Sequence, residues 1–283
     1  MEKIKIGIIG QGFVGTAIRT GLLNHYDIET YDKYKKELST CHDLEELCGK
    51  SNIIFVCLPT PMLKSGACDL KIVDGVFDEL KNLASPDHVF VLKSTVPPGT
   101  TKRLNLKHKN LKIVFSPEFL TEANYIEDFK NQSRIIIGGS RPGSSRVKNM
   151  FRKVFRDASI IKTSSEIAEM IKYTSNCFLA TKVGFANEIK QICDNCDIDY
   201  DKVVEYALYD KRLGATHWSV PGPDGRLGFG GSCFPKDVNA LINFAKEIGT
   251  KPTVLESVWE KNLEVRPEKD WELLKGRAVS EED

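Results

Sequence analysis

The residue of this chain with the most chemical potential is Cys233, within Gly228-Phe229-Gly230-Gly231-Ser232-Cys233-Phe234-Pro235-Lys236-Asp237. The glycines ahead of it make a flexible run. Pro235 suits the first turn of a helix, where its missing N–H costs nothing. The apolar pattern continues through Val238, Ala240, Leu241, Ile242 and Phe244, so a helix is expected to start at the thiol. Orphan N–H groups and the helix dipole at such a start favour a thiolate. Asp237 follows four residues later and can face the same side of the helix. An activated thiol beside a proton-handling or orienting group is the pattern of covalent catalysis. The plainer reading of Cys233 is a small buried hydrophobe, as most free cysteines are.

A second polar pair lies on an apolar background. Lys172 and Asn176 fall four residues apart in a helical stretch from about Ser165 to Cys193, flanked by Ile171, Phe178, Leu179 and Val183. A partly buried amine beside a reacting oxygen stabilises developing negative charge. Between Tyr209 and Cys233 the sequence reads as loop. There Arg212, Arg226 and glycine N–H groups can hold an anion, and His217 can act as a base.

Such groups need a scaffold, and the N-terminal half supplies it. The apolar run Lys5–Ile9 enters Gly10-Gln11-Gly12-Phe13-Val14-Gly15, and a helical pattern follows from Thr16 to about Leu23. This is the strand–turn–helix context of a dinucleotide-binding glycine motif. Gly10 permits the tight turn, Gly12 lets a pyrophosphate reach the backbone, and Gly15 lets helix and strand pack closely. The next strand, Asp27–Tyr31, ends at Asp32. An acidic residue there accepts from both ribose hydroxyls and repels a 2′-phosphate, which favours NAD over NADP. Further strands are expected at Asn52–Leu58, His88–Lys93, Lys112–Phe115 and Arg134–Gly138, with helices such as Leu70–Leu83 and Ser144–Phe155 between them. That alternation predicts a Rossmann-like, doubly wound parallel α/β sheet. A long central helix and a small helical domain should follow. Residues 1–163 are assigned to the NAD-binding domain and 164–283 to a central helical domain that carries the candidate thiol. Ligands of such sheets bind outside the carboxyl ends of the strands. Pro59-Thr60-Pro61, Ser94–Thr100 and Ser116–Glu122 lie at those ends.

Composition sets the outer bounds. A net charge of +1 gives no polyelectrolyte signal and argues against nucleic acid as a partner. No apolar run approaches the roughly 18 residues that span a bilayer. The N-terminus enters a strand pattern at once, without a secretory core. The eight cysteines are scattered like reduced cytoplasmic thiols. Cys193 and Cys196 form a lone Cys-x-x-Cys without the second pair or histidines that zinc requires, so no metal site is expected.

The assembled motifs resemble the UDP-glucose/GDP-mannose dehydrogenase family. The resemblance runs in order through Gly10–Gly15, Pro59–Pro61, Ser94–Gly99, Ser116–Glu122, Ala168–Glu188 and Gly228–Asp237. It implies an NAD-dependent oxidation, twice, of the C6 alcohol of a nucleotide sugar, with UDP-glucose giving UDP-glucuronate as the first candidate. It assigns Cys233 to a thiohemiacetal and then a thioester, and Lys172 and Asp237 to the oxyanion. Asn176 helps hold substrate, and Thr95 and Glu122 position a water. It places Gly10, Gly12, Phe13, Val14, Gly15, Asp32, Thr60, Pro61, Thr95 and Glu122 at the cofactor. Glu118, Phe119, Leu120, Lys172, Asn176, Arg212 and Gly230 fall to the substrate, with Arg212 reaching it from a partner subunit. It also implies a homodimer through the central helix, and a third, nucleotide-binding domain that this chain lacks. The sugar nucleotide therefore stays open. Two other readings remain: a single-hydride hydroxyacid-type dehydrogenase, which has no use for Cys233, and a non-catalytic NAD-binding oligomer.

Overall fold

A computed structural model describes residues 3–281. The chain forms two compact units, one of residues 1–60 and 70–172, the other of residues 61–69 and 173–283.

The first unit is a seven-stranded sheet with helices. Its strands are β1 (Lys5–Ile9), β2 (Asp27–Tyr31), β3 (Ile53–Val56), β4 (Val89–Leu92), β5 (Ile113–Phe115), β6 (Arg134–Gly138) and β7 (Ser159–Thr163), in the order β2-β1-β3-β4-β5-β6-β7. β3 and β4 are unbroken apolar runs, Ile-Ile-Phe-Val and Val-Phe-Val-Leu, buried at every position. That is the composition of central parallel strands covered on both faces. β1 pairs parallel with β2 and with β3, so the strand order reverses direction beside β1. This switch point is where α/β sheets bind ligands.

The expected parallel sheet holds from β2 to β5. β6 then pairs antiparallel with β5, and β7, not anticipated from the sequence, runs parallel to β6. The helices of this unit are α1 (Phe13–Leu22), α2 (Leu44–Lys50), α3 (Lys71–Leu83), α4 (Thr100–Lys107), α5 (Tyr125–Lys130) and α6 (Gly143–Val154). α3 shows how they are selected: Val73, Phe77 and Leu80 form one buried stripe at helical spacing. α1 begins inside the glycine motif, three residues before the expected start at Thr16, with Gly12 accepting from the Thr16 N–H.

The boundary between the units runs through α7 (Ser165–Asn195), 31 residues long, or about 46 Å at 1.5 Å per residue. The second unit holds the rest of α7 with α8 (Tyr200–Ala207), α9 (Phe234–Glu247) and α10 (Thr253–Val265). Tyr173, Cys177 and Ala180 of α7 pack with Val238 and Ile242 of α9 and Val258 of α10. Residues 61–69 belong here because Met62 exchanges backbone hydrogen bonds with Ala278 and Ser280.

Candidate active site

In the first unit the glycine motif forms a cradle at the end of β1. Gly10 has φ +90°, and a Cβ there would sit 2.2 Å from the Cys57 carbonyl oxygen. A side chain at Gly15 would meet the Gly10 carbonyl at 1.9 Å. Gly12 caps α1 without a side-chain hydrogen bond, and a Cβ there would meet nothing within 4 Å. The start of α1 thus leaves open space beside Gly12, at a site that suits a pyrophosphate. Asp32 accepts from the backbone N–H of Gln11 at 2.7 Å and from those of Tyr34 and Lys35 at 2.9 Å. Burial would raise its carboxyl, but these three donors outweigh it and hold Asp32 below the ordinary range. An ionised Asp32 at the end of β2 fits the ribose of NAD.

The loops leaving β3, β4 and β5 are tied together by side chains. Ser94 Oγ donates to the Leu58 carbonyl at 2.7 Å and accepts from the Leu58 N–H at 3.0 Å. Thr60 Oγ1 donates to the Thr95 carbonyl at 2.8 Å. The buried Lys93 donates to the Pro117 carbonyl at 3.0 Å. Burial lowers its ammonium to about 8, against the pull of Cys57 and Glu118. Lys172 Nζ donates to the Glu118 carbonyl at 2.7 Å and to its Oε1 at 3.0 Å. Glu118 Oε2 accepts from the Leu120 N–H at 2.6 Å. Burial alone would raise the Glu118 carboxyl, yet the Lys172 charge and the Leu120 donor hold it below its usual value. The Phe119 ring lies 5.5 Å from the Lys172 ammonium and 4.3 Å from the Arg134 guanidinium. Thr95 is buried and Glu122 is exposed. Glu118, Phe119, Leu120 and Lys172 therefore form one cluster, set against the β4 loop through Lys93.

In the second unit Cys233 occupies the N-cap of α9, with Pro235 in the first turn as the sequence predicts. Asp237 is 1% exposed. Its Oδ2 accepts from Asn176 Nδ2 at 2.6 Å, and its Oδ1 pairs with Lys236. Burial would lower the Lys236 ammonium, but the Asp237 charge raises it instead. Asn176, Asp237 and Lys236 thus make a buried polar group at the head of α9, one turn from the thiol. Burial raises the neighbouring Cys177 thiol, which packs as an inert core residue.

The loop before Cys233 is less as expected. Arg212 folds back on Asp210 with contacts of 2.6–3.0 Å and stays exposed. Arg226 faces solvent and pairs with Glu268 at 3.8 Å. His217 has φ +68°, and its ring lies 5.8 Å from that of Phe234. Its Nδ1 is buried without a hydrogen-bond partner. Burial, with the Lys182 charge, lowers its pKa and favours the neutral ring.

Several residues that organise these loops were not singled out by the sequence: Lys93, Glu169, Lys182, Asn262 and Arg266. All are buried. A polar side chain at a core position of an amphipathic helix was the available signal for the helical ones. Among the described residues, no group of three or more His, Cys, Asp or Glu is placed to hold a metal ion. Among the described residues no helix is long and apolar enough to cross a membrane, and the eight cysteines are free thiols.

Residues 27–159 match the NAD-binding domain, and residues 166–264 the central domain, of the UDP-glucose/GDP-mannose dehydrogenase family. The chain is 32% identical to the UDP-glucose 6-dehydrogenase TuaD of Bacillus subtilis, covering 98% of this chain and 68% of that protein. It is 34% identical to the UDP-glucose 6-dehydrogenase of Rickettsia bellii, over 87% of this chain and 54% of the relative. A UDP-glucose dehydrogenase from Pyrobaculum islandicum superposes with a TM-score of 0.84 at 28% identity, over 96% of this chain and 71% of that one. With both family domains matched in order on this fold, the chain belongs to the UDP-glucose/GDP-mannose dehydrogenase family.

Proposed function

We propose that this chain carries out the NAD-dependent, two-step oxidation of a nucleotide sugar at C6, with UDP-glucose as substrate and UDP-glucuronate as product. The observation that carries this reading is Cys233 at the N-cap of α9, one turn from the buried Asn176–Asp237 pair. A single-hydride dehydrogenase has no use for that thiol. The names of the relatives favour UDP-glucose among nucleotide sugars.

NAD, when bound, supplies the hydride acceptor for both oxidations. In the first, the C6 hydroxyl gives its proton to a water positioned by Thr95 and Glu122, and C6 loses a hydride to become an aldehyde. Lys172 stabilises the developing oxyanion, Asp237 orients Asn176 beside it, and Asn176 holds the sugar. Cys233 Sγ then adds to the aldehyde carbon, and the carbonyl oxygen takes a proton, giving a thiohemiacetal. The adduct keeps the carbon in place and makes it a hydride donor again. Loss of the second hydride, with the hydroxyl proton, leaves a thioester. The same water-positioning pair directs a water onto it, releasing the carboxylate and the free thiol. Glu118, Phe119, Leu120 and Gly230 contact the substrate, and Arg212 approaches it from the partner of a homodimer. Thr60, Pro61, Phe13 and Val14 line the cofactor. The free thiols support a cytoplasmic setting.

The test is NAD reduction across a panel of UDP- and GDP-sugars with product stoichiometry. UDP-glucose is expected to give two NADH per sugar, and Cys233→Ser to stop at one with aldehyde trapped. One NADH per sugar from the unaltered protein points to the single-hydride reading. No turnover of any sugar, with unchanged behaviour in Cys233→Ser, points to the non-catalytic one.

A further inference from the structure

The glycine run before Cys233 cannot satisfy its own backbone. Leu227–Gly231 belongs to neither helix nor strand, and Gly228 and Phe229 are buried. Buried N–H and C=O groups must find partners. Here the partners are side chains. Asn262 of α10, fully buried, meets Phe229 twice: its Oδ1 accepts from the Phe229 N–H at 2.7 Å, and its Nδ2 donates to the Phe229 carbonyl at 2.9 Å. Asn187 Oδ1 accepts from the Gly228 N–H at 3.1 Å. Arg266 donates to the Leu227 carbonyl at 3.1 Å, and Asp270 accepts from the Gly231 N–H at 3.3 Å. The fit leaves no slack, since a Cβ at Gly228 would sit 2.5 Å from Asn262 Oδ1.

From this geometry we infer that Asn262 is a positioning residue for Cys233, acting through Phe229. The inference rests on Cys233 as the nucleophile. Its amide presents one donor and one acceptor side by side to the backbone of the same residue. Asn262 thereby fixes the loop four residues ahead of the thiol, and with it the placing of Sγ at the first turn of α9. Misplacing a reacting atom by about 1 Å costs up to about a hundredfold.

The test uses Asn262→Asp, which keeps the shape and one acceptor but sets a second oxygen against the Phe229 carbonyl. Asn262→Ser, too short to span, serves as the second variant. Iodoacetamide labelling followed by peptide mass spectrometry reads the rate at Cys233 relative to the exposed Cys196 in the same molecule. The expected result is about a tenfold fall in that ratio. It should come with NADH yield moving from two toward one per sugar and aldehyde released, because the thiol serves the second oxidation. A lowered melting temperature with the labelling ratio unchanged or raised overturns the inference, as does failure of both variants to fold. Should the unaltered protein oxidise no nucleotide sugar, the proposed function fails while the labelling ratio still decides the role of Asn262.

Discussion

At the scale of single residues, the pair Lys172–Glu118 carries two duties that substitution can separate. Both side chains are largely buried, and the ammonium holds the carboxyl and the carbonyl of the same residue. Removing one partner of a buried pair strands the other charge, at a cost of about 3–5 kcal/mol. Lys172→Met should therefore lower the unfolding midpoint strongly, because Glu118 keeps only the Leu120 N–H as a hydrogen-bond donor and the weaker field of Lys93. The double variant Lys172→Met/Glu118→Gln removes the stranded charge and should recover much of that stability. It should not recover turnover if the ammonium also serves the oxyanion. Denaturation midpoints and initial rates on the same set of proteins check this. Recovery of both together would assign Lys172 to the fold alone.

At the scale of elements, α4 depends on a residue of another helix for its start. Glu169 of α7 is fully buried and accepts from the backbone N–H of Gly99 at 2.6 Å and of Thr101 at 2.8 Å. Burial nevertheless pushes its carboxyl up from 4.5 to about 7, against those two donors. A folded-state value above the unfolded one means that the folded protein holds the proton more tightly. Stability should then be fullest below 4.5 and be lost as pH rises toward about 7. In Glu169→Gln this dependence should vanish, with a uniform loss of about 1–3 kcal/mol from the N–H left without an acceptor. Urea midpoints across that pH window decide it, and parallel curves for the two proteins would sink the idea. Glu169 also shows what sequence reading can and cannot reach. The glycine motif, Asp32, Pro235 and the apolar runs of β3 and β4 were legible because each is a local requirement: a turn, a charge at a strand end, a first helical turn, a buried strand. Glu169 and Asn262 were not, because a polar residue at a core position of a helix signals burial without naming its partner, and their partners are backbone atoms distant in the chain. β7 escaped for a similar reason. Ser159–Thr163 is short and mixed, and its pairing with β6 is what makes it a strand.

At the scale of the whole molecule, what the chain leaves uncovered matters as much as what it buries. Phe178, Phe185 and Ile192 of α7 are 63%, 52% and 51% exposed, at a spacing of seven residues. A seven-residue apolar repeat on one helix face is the seam by which helices pair. Large exposed apolar side chains in such a row mark an association surface rather than ordinary surface scatter. A second copy of the same helix satisfies the repeat, which supports the homodimer proposed above. A stable dimer buries about 1,200–2,000 Å² in total, more than three side chains supply, so the seam is expected to be the centre of a larger contact. Phe178→Glu/Phe185→Glu places two charges on each copy at that centre. Light scattering after size-exclusion chromatography should then find a dimer for the unaltered protein at micromolar concentration and a monomer for the variant. Circular dichroism should be unchanged, because neither side chain belongs to a core cluster. An unaltered protein that runs as a monomer, or a variant that stays dimeric, would remove α7 as the seam. If the monomeric variant also loses turnover while keeping its fold, the partner subunit contributes to the site, as proposed for Arg212.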